Sequence, residues 1–424
     1  MGGKGVLLAL LILLPTAAVA DALPVCPSLV DPTGAGQQRT DRPALLVSAL
    51  SAGALRKRLE HCLDRSPERG TRTIGHRGAP LRYPEHTRES YQAAARLGAG
   101  VLECDVTATR DGELLCRHDA CDLHRTTNLL ETPLAARCRV PFQPAREGDT
   151  LATARCCTTD FDLAELKTLT GRHDVVDPLA QTVADYLSPE PPLSCLDAGT
   201  LLSHRESIAL FQALGTGMAP ELKSLPAESG VPEARLLTLA DQLVDDYRNA
   251  GVPPDTLWLQ TFDPDVASHW LANAGEYAGR VVWLDGRYAL DDFDHRAPGA
   301  HAVFGLWREA GLQFLAPPVW MLVEAGETGP VPSAYARAAR REGLRLLTWT
   351  LERSGPLARG GGWYYQTLNG LNPRPQSPGA YRVSRDADQL ALLALLFDDL
   401  EVAGVFTDWA ETTALVDRCL LREP

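Results

Sequence analysis

Apolar positions along the chain follow two periods, and the two periods take turns. Short apolar runs of strand length stand around Ile74 and at 101–106, 218–222, 257–261, 280–284, 313–316, 345–350 and 404–407. Between most of them, apolar residues recur every three or four positions, the spacing of an amphipathic helix. This occurs over 88–97, 200–214, 237–250, 266–274, 334–342, 386–400 and 410–421. Thr87 is placed to cap the first of these helices, and Gly98 or Gly100 ends it. Eight strands alternating with helices predict an α/β fold, a (β/α)8 TIM barrel. No repeat of solenoid length is visible.

One hairpin stands outside that tally. Asp111-Gly112 is a turn signal after the second strand, and 113–118 runs back. The gap is too short for a parallel crossover. A two-residue turn pairs Arg110 with Glu113 and, counting outward, Asp105 with His118, about 5 Å apart at Cβ. An irregular stretch, 119–180, follows. It is too long for an ordinary loop and reads as a cysteine-rich insertion after strand two, stapled by disulfides, with a helix at 161–169 capped by Asp160. Insertions at the C-terminal ends of barrel strands build the barrel mouth. Ahead of the barrel, which runs from 71 to 424, lies an extension, 21–70, with a helix at 44–63.

Residues 1–20 have the pattern of a signal peptide. Lys4 supplies the positive start, 6–14 the apolar stretch and Ala18-Val19-Ala20 the small-residue cleavage site. Nine apolar residues are too few to span a bilayer. The expectation is a secreted or periplasmic protein without stable membrane insertion. The net charge is −13, with no Lys/Arg run, which argues against nucleic acid and anionic membranes as partners. Ten cysteines in a secreted chain predict disulfides. Cys116–Cys121, and Cys138 with Cys156 or Cys157, are the expected pairs within the insertion, and a Cys26–Cys62 tie would hold the extension. Cys116, Cys121 and His124 fit no standard zinc spacing.

Residues at the C-terminal ends of barrel strands meet at one mouth. His76 ends strand one, Glu103 and Asp105 end strand two, Glu221 and Lys223 end strand three, Trp349 ends strand seven and Asp408 follows strand eight. Glu103, Asp105 and Glu221 form an oxygen-rich site for one hard divalent cation, Ca²⁺ or Mg²⁺. Arg77 and Lys223 suit an anionic phosphodiester. His76 and His118 suit acid–base work near neutral pH. Trp349 offers an apolar floor, and Trp363, Tyr364 and Tyr365 are either a wall of the leaving-group pocket or loop anchors.

The ordered set His76-Arg77-Gly78, Pro84-Glu85-x-Thr87, Glu103-x-Asp105, Thr109-x-Asp111-Gly112, His118-Asp119 and Arg125-Thr126-Thr127 resembles the glycerophosphodiester phosphodiesterase family. Glu221-Leu222-Lys223, Thr348-Trp349-Thr350 and Phe406-Thr407-Asp408 continue the resemblance to about residue 420. His86 departs from it, standing where many members have Asn, and little consequence is expected. The resemblance implies metal-dependent hydrolysis of a small-molecule glycerophosphodiester to glycerol 3-phosphate and an alcohol. It also implies His76 as general base and His118 as general acid. Attack by the glycerol 2-hydroxyl through a cyclic intermediate, or directly by water, are the two routes. The rival readings are a phospholipase D-like enzyme acting on lysolipids or sphingomyelin, and a non-catalytic barrel that binds phosphodiesters.

Overall fold

Short β-rich runs that cannot leave an edge unpaired, joined by helices long enough to cross over, close into a ring. The computed structural model describes residues 41–64, 68–146, 148, 150–190, 194–225, 234–353, 355–370 and 380–421. Eight parallel strands pair in chain order: Gly70–Gly75, Ala99–Ala108, Gly217–Leu222, Leu259–Thr261, Val281–Leu284, Phe314–Ala316, Arg345–Thr348 and Gly404–Thr407. Strand one pairs with both strand two and strand eight, which closes the (β/α)8 barrel.

Side chains two apart share a face of a strand. That rule sorts the barrel interior into a filled floor and a polar mouth. Ile74, Val101, Ala219, Leu347 and Phe406 are buried together with Val282, Leu284, Phe314 and Ala316 in one apolar cluster. Two residues further along the same faces stand His76, Glu103, Glu221, Trp349 and Asp408. The helices cover the outside of the ring. The helix Ala334–Arg341 buries Tyr335, Ala336, Ala338 and Ala339 and turns Arg337, Arg340 and Arg341 outward or to the rim. A fully buried large side chain such as Tyr335 contributes on the order of 2 kcal/mol.

The hairpin arm is present but its register differs by one from the expectation. Leu114–Cys116 pairs antiparallel with strand two as Val106 to Cys116, Thr107 to Leu115 and Ala108 to Leu114. Thr109 N–H donates to the Glu113 carbonyl, so the turn holds three residues and not two. The Thr109 hydroxyl, bonded to both Asp111 and Glu113, stabilises this wider turn. Asp105 therefore lies across from Arg117, whose N–H it accepts at 2.8 Å. His118 stands past the end of the arm.

Four helix expectations also shift. The 44–63 helix is two, Arg42–Ala49 and Ala54–Leu63, broken at the extended Gly53. The 161–169 helix shrinks to Leu163–Leu166, capped by Asp162 through a capping box with Glu165. Asp160 is already engaged by the Cys157 N–H and by Arg139. The 200–214 helix starts at His204 behind the Ser203 cap, because Thr200 pairs with Thr170 in a short ladder. The 386–400 helix is regular only over Asp388–Ala394 and continues as a π-helical turn.

The disulfides are Cys62–Cys419, Cys104–Cys116, Cys121–Cys157 and Cys138–Cys156, and Cys195 is disulfide-bonded as well. Cys138–Cys156 is one of the expected pairs. Cys116–Cys121 is not formed: the arm lies against strand two and gives Cys116 to Cys104, while Cys121 joins Cys157. Cys62 ties the extension to the last helix, Ala410–Leu421, and so is not available to Cys26. The insertion packs Leu129, Phe161 and Leu166 into a second apolar cluster, which also takes in Leu115, Tyr186 and Leu201 from either side of it. The expected signal peptide, 1–20, lies outside the described residues. Among those described, no helix is long and apolar enough to cross a membrane.

Candidate active site

Strand register sets Asp105 beside Glu221 and Glu103 beside Ala219. Neighbouring strands are about 4.8 Å apart, so the inward carboxylates must meet. One oxygen from each of Glu103, Asp105 and Glu221 lies within 4.8 Å of the others, and all three residues are buried. Burial, together with the Asp105 and Glu221 charges, pushes Glu103 well above the usual carboxylate range. Burial pushes Glu221 up to about 7, against the pull of Lys223. Burial also opposes ionisation of Asp105, but Lys223 and His86 hold it well below the usual range. Oδ1 of Asp105 is buried without a hydrogen-bond partner. Crowded oxygens that burial drives toward protonation, one of them unbonded, fit a hard divalent cation. The Lys223 ammonium meets part of that need, 2.7 Å from Glu221 and 3.7 Å from Asp105.

His76 completes one side. Its Nδ1 is 2.8 Å from Asp408 Oδ1, and its Nε2 is 3.9 Å from Glu103. An ionised carboxylate only accepts, so the proton sits on Nδ1 and the Nε2 lone pair faces the cavity. Burial lowers the His76 pKa more than Asp408 raises it, which keeps the ring neutral and able to accept a proton. Asp408 is held in turn by its own N–H, which donates to Glu352 at 2.9 Å.

The turn after His76 aims Arg77. Arg77 and Gly78 both have positive φ, 56° and 92°. A Cβ at position 78 would meet Ser90 Oγ at 2.4 Å, so only glycine fits. The Arg77 N–H donates to Glu103 at 2.9 Å, and its guanidinium donates to Glu85 at 3.0 Å. Glu85 also accepts from Arg353 at 2.8 Å, so one buried carboxylate holds two guanidiniums at the mouth. Burial works against the Arg77 charge, but Glu85, Asp105 and Glu103 raise its pKa above the usual arginine value.

A cavity of about 260 Å³ is lined by His76, Arg77, Glu103, Asp105, His118, Glu221, Lys223 and Trp349. These eight residues, all singled out from the sequence, share one space, whereas Asp408 stands behind His76 and does not line it. His118 reaches it from the loop after the arm and not from a strand position opposite Asp105. Burial, then Lys223 and Arg77, lower the His118 pKa well below its usual value. The Trp349 indole N–H is fixed on the Ala316 carbonyl at 3.0 Å, and Phe262 and Tyr288 stand edge-on to its ring. Tyr364 lines the cavity, whereas Trp363 sits at the exposed rim and Tyr365 is buried behind it.

Sequence reasoning missed Arg353, Phe262, Tyr288 and the part played by His86. Glu85 and Thr87 had a motif to flag them. Arg353 had none, since an arginine in a loop after strand seven is ordinary. His86, a departure from which little consequence is expected, is fully buried and bonded to Asp105 at 2.9 Å.

A family model described as the glycerophosphoryl diester phosphodiesterase family matches residues 76–412. A protein from Arthroderma benhamiae named "Extracellular protein" is 32% identical over 259 residues, covering 58% of this chain and 98% of that protein. The glycerophosphodiester phosphodiesterase of Bacillus subtilis is 46% identical over 63 residues, which span 15% of this chain and 21% of that protein. Among solved structures, a putative glycerophosphoryl diester phosphodiesterase from Silicibacter pomeroyi shares the fold. Its TM-score is 0.53 at 20% identity, over 86% of this chain and 97% of the other.

Proposed function

This chain belongs to the glycerophosphoryl diester phosphodiesterase family, a family of phosphoric diester hydrolases, and from that premise we propose that it is a secreted, divalent-cation-dependent hydrolase of glycerophosphodiesters. The products are glycerol 3-phosphate and an alcohol. The observation that carries this reading is His76, oriented by Asp408 and 3.9 Å from the carboxylate cluster, with Arg77 and Lys223 lining the same cavity.

Glu103, Asp105 and Glu221 would hold Ca²⁺ or Mg²⁺. When bound, such a cation lowers the pKa of a hydroxyl and stabilises charge on a phosphoryl group. Arg77 and Lys223 bind the diester anion, the first through paired N–H groups and the second as a point charge. His76 Nε2 takes the proton of the attacking hydroxyl, that of water or that of glycerol C2, and Asp408 stabilises the imidazolium that forms; where the glycerol hydroxyl attacks, water then opens the cyclic phosphate to glycerol 3-phosphate. His118 returns a proton to the leaving alcohol. In the free protein Lys223 and Arg77 help keep His118 neutral. A bound phosphodiester offsets those two cations and raises the His118 pKa toward protonation. Trp349 lies under the glycerol carbons.

Three observations support secretion: the leader-like residues 1–20, the disulfides, which suit an oxidising compartment, and the extracellular relative matched over nearly its whole length. Incubation with glycerophosphocholine, followed by product identification, tests the activity. Glycerol 3-phosphate and choline are expected, and release of phosphocholine with glycerol would overturn the assignment.

A further inference from the structure

His86 occupies a buried slot between the helix Arg88–Arg96 and the carboxylate cluster. Its Nε2 is 2.9 Å from Asp105 Oδ2 and its Nδ1 is 2.8 Å from the Tyr91 hydroxyl. His86 and Tyr91 are wholly buried and Asp105 is 1% exposed. The hydrogen-bond direction follows from valence. The Asp105 carboxylate can only accept, so Nε2 donates. Nδ1 is hydrogen-bonded to the Tyr91 hydroxyl, which fixes the other side of the ring. The Tyr91 ring is itself fixed edge-on against Phe211, with centroids 4.8 Å apart.

The backbone is equally committed. His86 has φ of 56°, and its N–H donates to the Arg77 carbonyl at 3.0 Å. Only Gly and a few residues with short polar side chains, Asn, Asp and His, adopt that conformation readily. Of these, only His carries an N–H donor as far from the backbone as Nε2, the atom that meets Asp105. Oδ1 of Asp105 is left without a hydrogen bond, on the side of Lys223 and Glu221. The two oxygens of this carboxylate are thus divided between a tether and an open position.

We propose that His86 is a positioning residue for the cation site: it ties down Oδ2 of Asp105 and so aims Oδ1 at the space shared with Glu221. This rests on the reading that Glu103, Asp105 and Glu221 hold a divalent cation. Hydrogen bonds that orient a ligating side chain typically change metal affinity by about 10–100-fold.

The test is isothermal titration of the purified full chain with CaCl2 and MgCl2, for wild type, His86→Ala, His86→Gln and Tyr91→Phe, with melting curves of each protein before titration. His86→Ala is expected to bind about 10–100-fold more weakly, and His86→Gln to return to within roughly threefold of wild type because its amide nitrogen reaches the place of Nε2 and replaces the donor. A folded His86→Ala with wild-type affinity overturns the inference, as does a folded Gln variant as weak as the Ala variant. If His86→Ala does not fold, Tyr91→Phe decides, since its ring keeps the contact with Phe211. A severalfold weaker binding supports the tether and wild-type affinity overturns it. Wild-type protein that binds neither cation overturns the cation reading and this inference with it, whereas wild-type binding with an unaffected alanine variant overturns the inference alone.

Discussion

Nδ1 of His76 and Oδ1 of Asp408 lie 2.8 Å apart across the seam where strands one and eight close the barrel, although 332 positions separate them in the chain. The pairing fixes which nitrogen carries the proton. Asp408→Asn keeps the shape and removes the charge, so the opposite tautomer becomes available and the imidazolium loses its partner. A loss of ~10²–10⁴-fold in kcat is expected, with cation affinity unchanged. Steady-state kinetics with a parallel cation titration check it, and wild-type kcat in this variant would rule out His76 as an Asp408-oriented base.

The two histidines are separable by leaving group. His118→Ala is expected to lose ~10²–10⁴-fold in kcat/KM on glycerophosphocholine, the range for a positioned proton donor. It should lose much less on a diester with a nitrophenol leaving group, which departs without a proton. His76→Ala should lose comparably on both. The reverse pattern exchanges the roles, and equal losses throughout mean that neither is a dedicated acid.

Asp122, in the insertion, is buried, and its pKa is pushed up to about 7 by burial, against the pull of Arg117. An unfolded aspartate titrates near 3.9. Between about pH 4 and pH 7 the folded state therefore holds a proton that the unfolded state lacks, and stability falls as pH rises through that window. Asp122→Asn keeps an oxygen for the Thr126 hydroxyl, which donates to Asp122 at 3.1 Å. The variant should melt above wild type at pH 8, and the difference should vanish near pH 4. Thermal melts at both pH values decide this; an equal gap at both would mean that proton uptake is not the source.

Cys62–Cys419 closes a loop of 357 positions between two outer helices. Replacing both residues by serine should cost ~2–5 kcal/mol of stability, the range for native disulfides. It should leave kcat/KM unchanged at temperatures below the transition, because neither residue lines the cavity. Loss of activity in protein that is still folded would contradict that separation.

The period-of-two rule made most of the site legible. Once Ile74, Val101, Ala219, Leu347 and Phe406 are recognised as inward-facing, His76, Glu103, Glu221, Trp349 and Asp408 follow as the polar layer above them. What depended on local geometry was not legible. The Thr109 hydroxyl widens the hairpin turn by one residue, which moves Asp105 from His118 to Arg117, and no periodicity reports that. Cys104–Cys116 follows from the arm lying on strand two, which takes Cys116 away from the expected pairing with Cys121. His86 stood out only as an unusual residue in a motif; its meaning needed the positions of Tyr91 and Asp105.

In the proposed function Glu103, Asp105 and Glu221 hold a cation without which the diester is not cleaved. The most direct test strips the protein with a chelator and measures glycerol 3-phosphate release from glycerophosphocholine before and after Ca²⁺ or Mg²⁺ is restored, for wild type and for folded Asp105→Asn. Stripped wild type is expected to be inactive and to recover with at least one cation, and Asp105→Asn to stay mostly inactive with either. Full turnover by the stripped enzyme, or wild-type turnover and cation binding by Asp105→Asn, would contradict that function.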